Sequence, residues 1–328
     1  MTERAPLRLR VARVVEETEE ARSLVFDAPD LAYRPGQFLT LRLPGGVSRC
    51  YSLSSSPHLD EPPQVTVKRV PEGYGSNWLC DTVSAGTELE VLPPAGVFSP
   101  RSLDGDFLLF AGGSGITPIL SIVKSVLAAG TGRIVLVYAN RDERSVIFAA
   151  VLRELAARHP ERLHVVHWLE SVQGLPTAAQ LRSLSEPFRG FQAFLCGPGP
   201  FMEAVLGVLR SLAVREIHVE RFVSLTGDQG SAAPADGPVT DLEVDLDGRH
   251  HSLRWPAGRR LLDVLLDSGL DAPFSCREGA CSACACRITE GEVRLLRNEV
   301  LDEQDLAEGY SLACQAVPES PVVKVSYD

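Results

Sequence analysis

Residues 273–315 read PFSCREGACSACACRITEGEVRLLRNEVLDEQDLAEGYSLACQ, and this stretch holds three closely spaced cysteines followed by a distant fourth. Cys276, Cys281, Cys284 and Cys314 follow the C-x4-C-x2-C…C spacing with which four thiolates hold a plant-type [2Fe-2S] cluster. The small residues among them let the backbone wrap closely, so that its N–H groups can face the cluster's sulfurs. The spacing predicts an iron–sulfur domain in this part of the chain.

Two other interpretations of these cysteines stay open at this point, a zinc site and a set of structural thiols. Structural zinc is usually held by two short hooks of paired cysteines, rather than by three thiols crowded into nine residues. Cys286 falls outside the cluster spacing, and we expect a buried, unreactive thiol there.

The length of 328 residues allows two or three domains, each with its own core. No apolar run approaches the length that spans a bilayer, and the N-terminal residues lack the apolar segment of a signal peptide. Outside the cluster pattern, Cys50, Cys80, Cys196 and Cys286 are scattered singly, so they do not form a disulfide framework. These features predict a protein of the reducing cytoplasm with no membrane segment.

The formal net charge is −11, from 32 Lys and Arg residues against 43 Asp and Glu residues. This balance argues against nonspecific binding of nucleic acid, and no basic run offers a track for phosphates. The residues from Val239 onward hold 9 basic and 17 acidic side chains, which is −8 of the total. An acidic surface around a redox centre is suited to docking a basic partner, and the alternative is a surface that only aids solubility.

Residues 7–92 consist of short runs with β-strand composition, separated by turn signals such as Pro35-Gly36 and Pro62-Pro63. Six short strands predict a small antiparallel barrel. A short helix is predicted to begin within Gly75 to Cys80. The six candidate strands are Leu7 to Val15, Arg22 to Asp27, Gln37 to Leu43, Arg49 to Leu53, Val65 to Val70 and Glu88 to Leu92.

Between Asp106 and Val219 apolar strands alternate with helices, which is typical of a parallel sheet covered on both faces. The five candidate strands are Phe107 to Ala111, Ile134 to Tyr138, Leu163 to Trp168, Phe191 to Cys196 and Glu216 to Val219. The four candidate helices are Pro118 to Ala129, Val146 to Arg158, Ala178 to Leu184 and Pro200 to Leu212. This alternation predicts a nucleotide-binding architecture.

Two turns of this region point to a ligand site. Residues 112–118 (GGSGITP) lead from the first strand into a helix, where a pyrophosphate can approach free N–H groups at the positive end of the helix dipole. This turn matches neither common nucleotide-binding motif, so a purely structural turn is the alternative. Cys196-Gly197-Pro198 follows the fourth strand, at the edge where open α/β sheets bind ligands.

Ser224 to Pro238 is rich in Ser, Gly, Ala, Pro and Asp, and this composition predicts a linker. After it, two alternating runs joined by Asp247-Gly248 predict a β-hairpin. We therefore expect four segments. They are a barrel at 1–103, a nucleotide-binding domain at 104–223, a linker at 224–238 and a cluster domain at 239–328.

Several motifs of the chain resemble those of the ferredoxin-NADP reductase superfamily. They are Arg49-Cys50-Tyr51-Ser52, Gly75-Ser76-Asn77-Trp78-Leu79, the 112–118 turn, Cys196-Gly197-Pro198 and the C-terminal cysteines. The chain is similar in particular to three-domain oxygenase reductases with the order flavin, nicotinamide, [2Fe-2S]. The resemblance implies a six-stranded antiparallel flavin-binding barrel, a five-stranded parallel α/β nucleotide-binding domain and a C-terminal β-grasp plant-type ferredoxin domain.

Longer blocks narrow the resemblance to one subgroup. GYGSNWLCD from Gly73, YANRDERSVIFA from Tyr138 and DAPFSCREGACSACAC from Asp271 resemble the reductase components of 3-ketosteroid 9α-hydroxylases. The reductases of phenylacetyl-CoA epoxidation are next in similarity. The resemblance covers nearly the whole chain.

The resemblance assigns flavin contacts to two of these motifs. Arg49 would neutralise a flavin phosphate, the Tyr51 ring would pack on the isoalloxazine, and Ser52 would hydrogen-bond near its reactive nitrogen. Gly75 and Ser76, at a helix start, would receive the flavin pyrophosphate, which favours FAD over FMN. Outside this family, an Arg and a Tyr on a strand are more often surface charge and core filler.

The resemblance also implies the residues of a nicotinamide site. The dinucleotide would be held by Gly113, Ser114, Thr117, Cys196, Gly197 and Pro198, and Lys68 is a further implied cofactor contact. Glu220 and Phe222 match the family's E-x-F motif, whose Phe lies by the flavin, and ordinary packing is the alternative for Phe222. The groups nearest the reaction are then Ser52, Cys196, Glu220 and Phe222.

The choice between NADH and NADPH depends on the residues after the second strand of the nucleotide domain. Asn140, Arg141 and Arg144 lie where the adenosine ribose or its 2′-phosphate would bind, and two arginines could favour NADPH. Asp142 and Glu143 lie between them and would repel a phosphate. Together with the subgroup resemblance, this favours NADH, with NADPH as the alternative.

These features predict an oxidoreductase that passes electrons from NADH through FAD and a [2Fe-2S] cluster to a separate terminal oxygenase of the Rieske type, in steroid catabolism. One rival is a reductase for a di-iron oxygenase such as phenylacetyl-CoA epoxidase. A second rival, from another class, is a non-turnover electron-channelling or redox-sensing subunit, which would have a defective nicotinamide site. In each case the redox chemistry belongs to the cofactors.

Overall fold

The computed structural model describes residues 6–222, 239–274, 279, 282–298, 300–301 and 303–327. Contacts divide the chain into two compact units, of which one is Pro6–Phe222 and the other holds the described residues from Val239 onward. The predicted linker at 224–238, and Cys276 and Cys281, lie outside the described residues. No helix in the described ranges is long and apolar enough to cross a membrane.

Six antiparallel strands form the first sheet of the larger unit. They are β1 (Leu7–Thr18), β2 (Ala21–Phe26), β3 (Phe38–Leu43), β4 (Val47–Ser52), β5 (Gln64–Lys68) and β6 (Glu88–Ala95). Their order is β4-β3-β6-β1-β2-β5, and the two edge strands meet at a bridge between Leu53 and Val65. This bridge joins the two edges of the sheet at one residue pair, and the strands enclose an apolar core as the sequence pattern predicts.

Helix α1 (Tyr74–Thr82) covers one side of this barrel. Leu79 and Cys80 on its inner face are buried in the barrel core. This face fixes the start of the helix beside β4, and the first turn of α1 is thereby placed next to the Arg49 side chain.

The second sheet is parallel and five-stranded. Its strands are β7 (Phe107–Gly112), β8 (Ile134–Asn140), β9 (Leu163–Leu169), β10 (Gln192–Cys196) and β11 (Ile217–Glu220). The connecting helices are α2 (Ile116–Ala129), α3 (Ala149–Arg158), α4 (Glu170–Gln173), α5 (Ala178–Ser185) and α6 (Gly199–Ser211). The strand order is β11-β10-β7-β8-β9.

Strand β7 shows why the strand sequences of this region are continuously apolar. Phe107, Leu109 and Ala111 pack into the core on one face of the sheet, whereas Leu108 and Phe110 pack into the core on the other. Helices cover both faces, so neither set of side chains can be polar.

Helix α3 begins later than the sequence pattern predicts, at Ala149 rather than Val146. Phe148 adopts a left-handed backbone conformation with φ of 62°, which a helix interior cannot contain. Val146, Ile147 and Phe148 are nevertheless buried. The apolar pattern therefore marks core residues correctly and places the helix start three residues early.

Helix α2 joins the parallel sheet to the barrel. The Ser121 hydroxyl donates a hydrogen bond to the Ser55 carbonyl at 2.6 Å, and the Lys124 ammonium pairs with the Glu61 carboxylate at 2.8 Å. Ala21 of the barrel packs into the core of the nucleotide sheet. These contacts make Pro6–Phe222 one unit, in which the barrel and the parallel sheet share a seam.

The smaller unit contains a mixed five-stranded sheet and a two-stranded sheet. Its strands are β12 (Val239–Leu246), β13 (Arg249–Pro256), β14 (Ala285–Glu290), β15 (Val293–Leu295), β16 (Tyr310–Leu312), β17 (Ala316–Pro318) and β18 (Val322–Ser326). The larger sheet has the order β13-β12-β18-β14-β16, with β12 and β18 parallel and the other pairs antiparallel. The helices are α7 (Leu261–Asp267) and α8 (Glu303–Ala307).

The first hairpin of this unit forms as its sequence predicts. Asp247 and Gly248 have φ angles of 52° and 69°, the two left-handed positions of a type I′ turn. The hairpin sheet packs on α7 through a core that includes Trp255, Leu261 and Leu265. A mixed sheet with a helix packed against it is the β-grasp arrangement that the resemblance implies for this part of the chain.

Candidate functional site

The predicted flavin residues Arg49, Tyr51 and Ser52 lie on β4. Arg49 and Tyr51 are half-buried on one face of the strand, whereas Ser52 is buried on the other. A Cβ atom added to Gly75 would lie 2.9 Å from the Arg49 Cγ and 2.9 Å from the Leu43 side chain. The glycine therefore lets the first turn of α1 contact the arginine stem, and two motifs that are 26 residues apart meet in space.

The start of α1 has the properties of a phosphate site. Its N-cap is Gly73, which has no side chain to accept hydrogen bonds from the first-turn N–H groups. The Ser76 hydroxyl accepts a hydrogen bond from the Val70 N–H at 3.0 Å, and this bond ties the helix to the end of β5. Free N–H groups at a helix start beside the Arg49 guanidinium suit a bound diphosphate. The residues present fit the flavin nucleotide that the sequence predicts.

The predicted nicotinamide residues meet where the strand order of the parallel sheet reverses. Strand β7 lies between β8 and β10, and the two turns that follow β7 and β10 lie side by side. A Cβ atom on Gly115 would lie 2.1 Å from the Cys196 carbonyl oxygen, and one on Gly112 would lie 2.6 Å from the Pro198 ring. These contacts explain why glycines occupy the turn, and a crevice at a strand-order reversal is where open α/β sheets bind nucleotides.

The glycine turn is held from two sides. Gly113 has a φ of 52°, and its carbonyl accepts a hydrogen bond from the buried Tyr138 hydroxyl at 3.1 Å. The Thr117 hydroxyl donates to the Ser114 carbonyl at 3.0 Å. Tyr138 was not among the residues that the sequence singles out, because an apolar strand position gives no local signal of this contact.

Cys196 and Glu220 are register partners at the ends of β10 and β11. Burial raises the pKa of the Glu220 carboxyl to about 8. Burial, with the Glu220 carboxyl adding to its effect, also raises the pKa of the Cys196 thiol well above its ordinary value. Both groups therefore favour their protonated, neutral forms at neutral pH. Phe222, two residues further on, is 45% exposed.

Lys68, Asn140 and Arg141 lie around the nucleotide turn. The Lys68 ammonium is 3.7 Å from the position of a Cβ atom on Gly113. Asn140 is buried, and neither polar atom of its side chain has a hydrogen-bond partner. Two unpaired buried polar atoms beside a cofactor crevice are in keeping with a site that a ligand completes.

Arg141 has a partner that the sequence does not reveal. Its guanidinium bonds to the Glu20 carboxylate at 2.6 Å, and the same carboxylate oxygen is 3.8 Å from the Lys68 ammonium. Glu20 belongs to the turn between β1 and β2, 121 residues from Arg141 in the chain. A single sequence contains no signal for this pair, since only the contact between barrel and sheet brings the two together.

Two of the four predicted cluster cysteines, Cys284 and Cys314, are described, and both are buried. The Cys314 backbone N–H donates to the Cys284 sulfur at 3.5 Å, and the Gln315 side-chain amide donates to the Cys314 sulfur at 3.7 Å. A hydrogen bond with the Cys284 thiol is the main cause that lowers the pKa of Cys314 to about 7. Thiolates are the form that binds iron, so these residues fit the cluster.

Gly279 and Cys286 complete the described part of this region. Gly279 has a φ of 72°, and a Cβ atom there would lie 2.7 Å from the Arg297 carbonyl oxygen. Only glycine allows this approach. Cys286 is buried on β14, and burial raises the pKa of its thiol to about 12, which fits the unreactive thiol expected at this position.

Three protein families match successive parts of the chain. Residues 8–99 match the oxidoreductase FAD-binding domain, residues 109–206 the oxidoreductase NAD-binding domain, and residues 244–319 the 2Fe-2S iron-sulfur cluster binding domain. These matches confirm the predicted fold class, the domain order and the three predicted cofactor types.

Whole proteins are similar along the full length. The "3-ketosteroid-9-alpha-monooxygenase, ferredoxin reductase component" of Mycolicibacterium smegmatis is 57% identical, covering 98% of this chain and 97% of its own. A subunit of the 1,2-phenylacetyl-CoA epoxidase of Escherichia coli is 32% identical, covering 98% and 97%. The crystal structure of phthalate dioxygenase reductase has a TM-score of 0.60 and 26% identity, with 98% of each chain covered. The chain thus belongs to the family of oxygenase ferredoxin reductase components and is an oxidoreductase with FAD-binding, NAD-binding and [2Fe-2S] domains.

Proposed function

We propose that this chain is the reductase component of a 3-ketosteroid 9α-hydroxylating system and passes electrons from NADH to a Rieske-type terminal oxygenase. The observation that carries the proposal is the 57% identity to the mycobacterial 3-ketosteroid-9-alpha-monooxygenase reductase over nearly the full length of both chains. The 32% identity to the epoxidase protein supports a related activity, so a reductase for a di-iron oxygenase is the second candidate.

The residues of the larger unit have separate roles in this proposal. Bound FAD would supply the conversion of a two-electron hydride donor into single electrons, and a bound [2Fe-2S] cluster would relay them. Arg49 and the start of α1 bind the flavin diphosphate, and the Tyr51 ring and Ser52 hydroxyl orient the flavin ring. Gly113 and its turn bind the dinucleotide of NADH.

Cys196 and Glu220 belong to the part of the site nearest the reacting ring. Their raised pKa values favour the uncharged form of both groups at neutral pH, so neither adds a negative charge beside an approaching hydride donor. A protonated Glu220 can also donate a hydrogen bond, which an ionised carboxylate cannot do. Phe222 is proposed to lie by the flavin.

We also propose the domain bounds 1–103, 104–223 and 239–328, with a linker at 224–238. The matched family ranges at 8–99, 109–206 and 244–319 fall inside these bounds, which supports them. The four cluster ligands are proposed to be Cys276, Cys281, Cys284 and Cys314.

A single variant tests both the proposed reaction and the separation of the domains. Purified wild type should contain one FAD and two irons per chain, and should reduce a flavin-accepting dye with NADH. Cys281→Ser should lose the cluster and the coupled hydroxylation of a 3-ketosteroid by the oxygenase, and should keep FAD and dye reduction. Cys286→Ser is the matched control, because it changes a nearby thiol outside the ligand spacing and should keep the iron.

The outcomes separate the alternatives. Wild type that reduces dye but supports only a di-iron oxygenase would identify the second candidate. Wild type that binds both cofactors but oxidises no NADH would point to the non-turnover subunit. Loss of dye reduction together with the cluster would contradict the proposed domain bounds.

A further inference from the structure

Glu20 lies in the turn between β1 and β2, and its position is fixed by the backbone. The Arg69 N–H donates to the Glu20 carbonyl at 2.7 Å, and the Glu20 N–H donates to the Thr18 hydroxyl at 3.2 Å. The Glu20 side chain extends from this fixed point to the nucleotide domain, where its carboxylate reaches Arg141. An acidic group of the barrel is thereby held at the mouth of the nucleotide crevice.

Arg141 lies where a dinucleotide-binding sheet discriminates between its two cofactors. It follows β8, and residues after the second strand of such sheets contact the adenosine ribose, with an arginine accommodating a 2′-phosphate when one is present. Its backbone is held by the Ser171 N–H, which donates to the Arg141 carbonyl at 2.8 Å. The arginine is thus in a position to bind a 2′-phosphate, and its bond to Glu20 occupies that guanidinium.

We propose that Glu20 is a specificity-determining residue that selects against NADPH, because its carboxylate occupies the Arg141 guanidinium that would otherwise bind the 2′-phosphate. The inference rests on the proposed function only in taking a nicotinamide dinucleotide as the electron donor. In this proposal, a residue of the flavin barrel helps to determine which dinucleotide the nucleotide domain binds.

Two features give the carboxylate this effect. A 2′-phosphate is an anion, so to reach Arg141 it has to displace Glu20 and then lie beside a like charge. The Glu20 oxygen is also 3.8 Å from Lys68, whose ammonium is close to Gly113, so the same carboxylate balances a second cation of the crevice. Glu20 and Arg141 are 47% and 60% exposed, so the pair can open without disturbing a core.

Asp142, the next residue after Arg141 in the chain, does not contact the arginine in this way. The Asp142 carboxylate accepts hydrogen bonds from the Ser145 N–H at 2.9 Å and from the Ser145 hydroxyl at 2.8 Å. It therefore caps the short turn that follows and is directed to Ser145. Glu20, in contrast, contacts the arginine itself.

The test measures binding of adenosine fragments and needs no turnover. Titration calorimetry of the FAD-loaded chain measures its affinity for 2′-phospho-AMP and for AMP. The ratio of the first affinity to the second reports the contribution of the 2′-phosphate. Glu20→Gln should raise this ratio by about fivefold, the upper end of what an exposed ion pair is worth. Glu90→Gln is the matched control, since Glu90 pairs with Arg42 at 2.6 Å on the same barrel, and its ratio should stay at the wild-type value.

A double variant shows whether the increase in the affinity ratio depends on Arg141. Glu20→Gln combined with Arg141→Ala should show no gain over Arg141→Ala alone, and raising the salt concentration should reduce the gain of the single variant. An unchanged ratio in Glu20→Gln, or an equal gain without Arg141, would overturn the inference. NADH-driven dye reduction by wild type tests the proposed function separately, so the two failures are distinguishable.

Discussion

Among single side chains, we expect Glu220 to make the stability of the fold depend on pH. Burial raises its pKa from 4.5 to about 8, so the folded state holds a proton that the unfolded state releases. The corresponding stabilisation is full below the ordinary pKa and is lost as the pH rises through about 8. The pKa of the Cys196 thiol is also raised, so this thiol causes a further loss of stability at still higher pH.

Glu220→Gln should therefore flatten part of the pH dependence of stability. Between about pH 5 and about pH 8.5, the melting temperature of wild type should fall more than that of the variant, because glutamine has no proton to lose. Thermal denaturation of both proteins across this range measures the difference. Glu216→Gln, at an exposed position just before β11, should follow the wild-type curve. Parallel curves for wild type and Glu220→Gln would contradict a carboxyl that stays protonated in the folded state at neutral pH.

At the level of elements, helix α2 is shared by two layers. Its polar face contacts the barrel through Ser121, whose hydroxyl donates to the Ser55 carbonyl, and through Ser125, which bonds to the Ser56 hydroxyl at 2.8 Å. Its apolar residues pack against the parallel sheet. Serine side chains are short, so these hydrogen bonds form only when the barrel and helix α2 lie at one particular separation.

Ser121→Ala should destabilise the larger unit as a whole. The change leaves the buried Ser55 carbonyl without this donor, and an unpaired buried group costs about 1–3 kcal/mol. Hydrogen exchange of peptides from β2 in the barrel and from β8 in the parallel sheet, followed across a denaturant series, should give coincident transitions, both shifted to lower denaturant. Ser183→Ala, at an exposed position of α5, is the control and should leave the midpoint unchanged. Separate transitions for the two signals would show that the seam does not couple barrel and sheet.

The elements that the sequence predicts are those with strong local signals. Alternating or continuous apolar runs bounded by glycine and proline located all eleven strands of the larger unit, and Asp247-Gly248 located the hairpin of the smaller one. Strands β15, β16 and β17 have three residues each and contain no periodicity to detect, since tertiary contacts hold them in place.

The candidate site was predictable to the same extent. The glycine turns, the Arg49 to Ser52 motif on β4 and the cysteine spacing are all local motifs. The structure brings Gly75 next to Arg49, and brings the 112–118 turn next to the turn after Cys196. Glu20 and Tyr138 were not predictable, because each acts through a contact with a residue far along the chain. Local patterns thus point to the groups that we propose to face a cofactor, and miss the groups that contact those residues from far along the chain.

For the whole molecule, we expect the uneven distribution of charge to affect how fast the chain associates with the oxygenase. Residues from 239 onward account for −8 of the net charge of −11, which leaves −3 for the rest of the chain. Opposite potentials steer association, and this steering weakens with salt because the Debye length contracts from roughly 30 Å at 0.01 M to about 8 Å at 0.15 M. Coupled turnover with the oxygenase should therefore fall over this range of ionic strength, whereas NADH-driven dye reduction, which needs no protein partner, should change far less.

Charge reversal tests whether the acidic run between Cys284 and Cys314, the third and fourth proposed cluster ligands, guides this docking. Replacing Asp302, Glu303 and Asp305 by lysine should slow electron delivery to the oxygenase at low salt and leave dye reduction unchanged, because the dye takes electrons from the flavin and needs no protein partner. The same charge change at exposed barrel positions, Asp30, Asp60 and Glu88, is the matched control. If both triple variants couple at the wild-type rate at low salt, the run is only a solvated surface and the oxygenase docks elsewhere. If both are slowed equally, net charge and not this surface sets the rate of encounter.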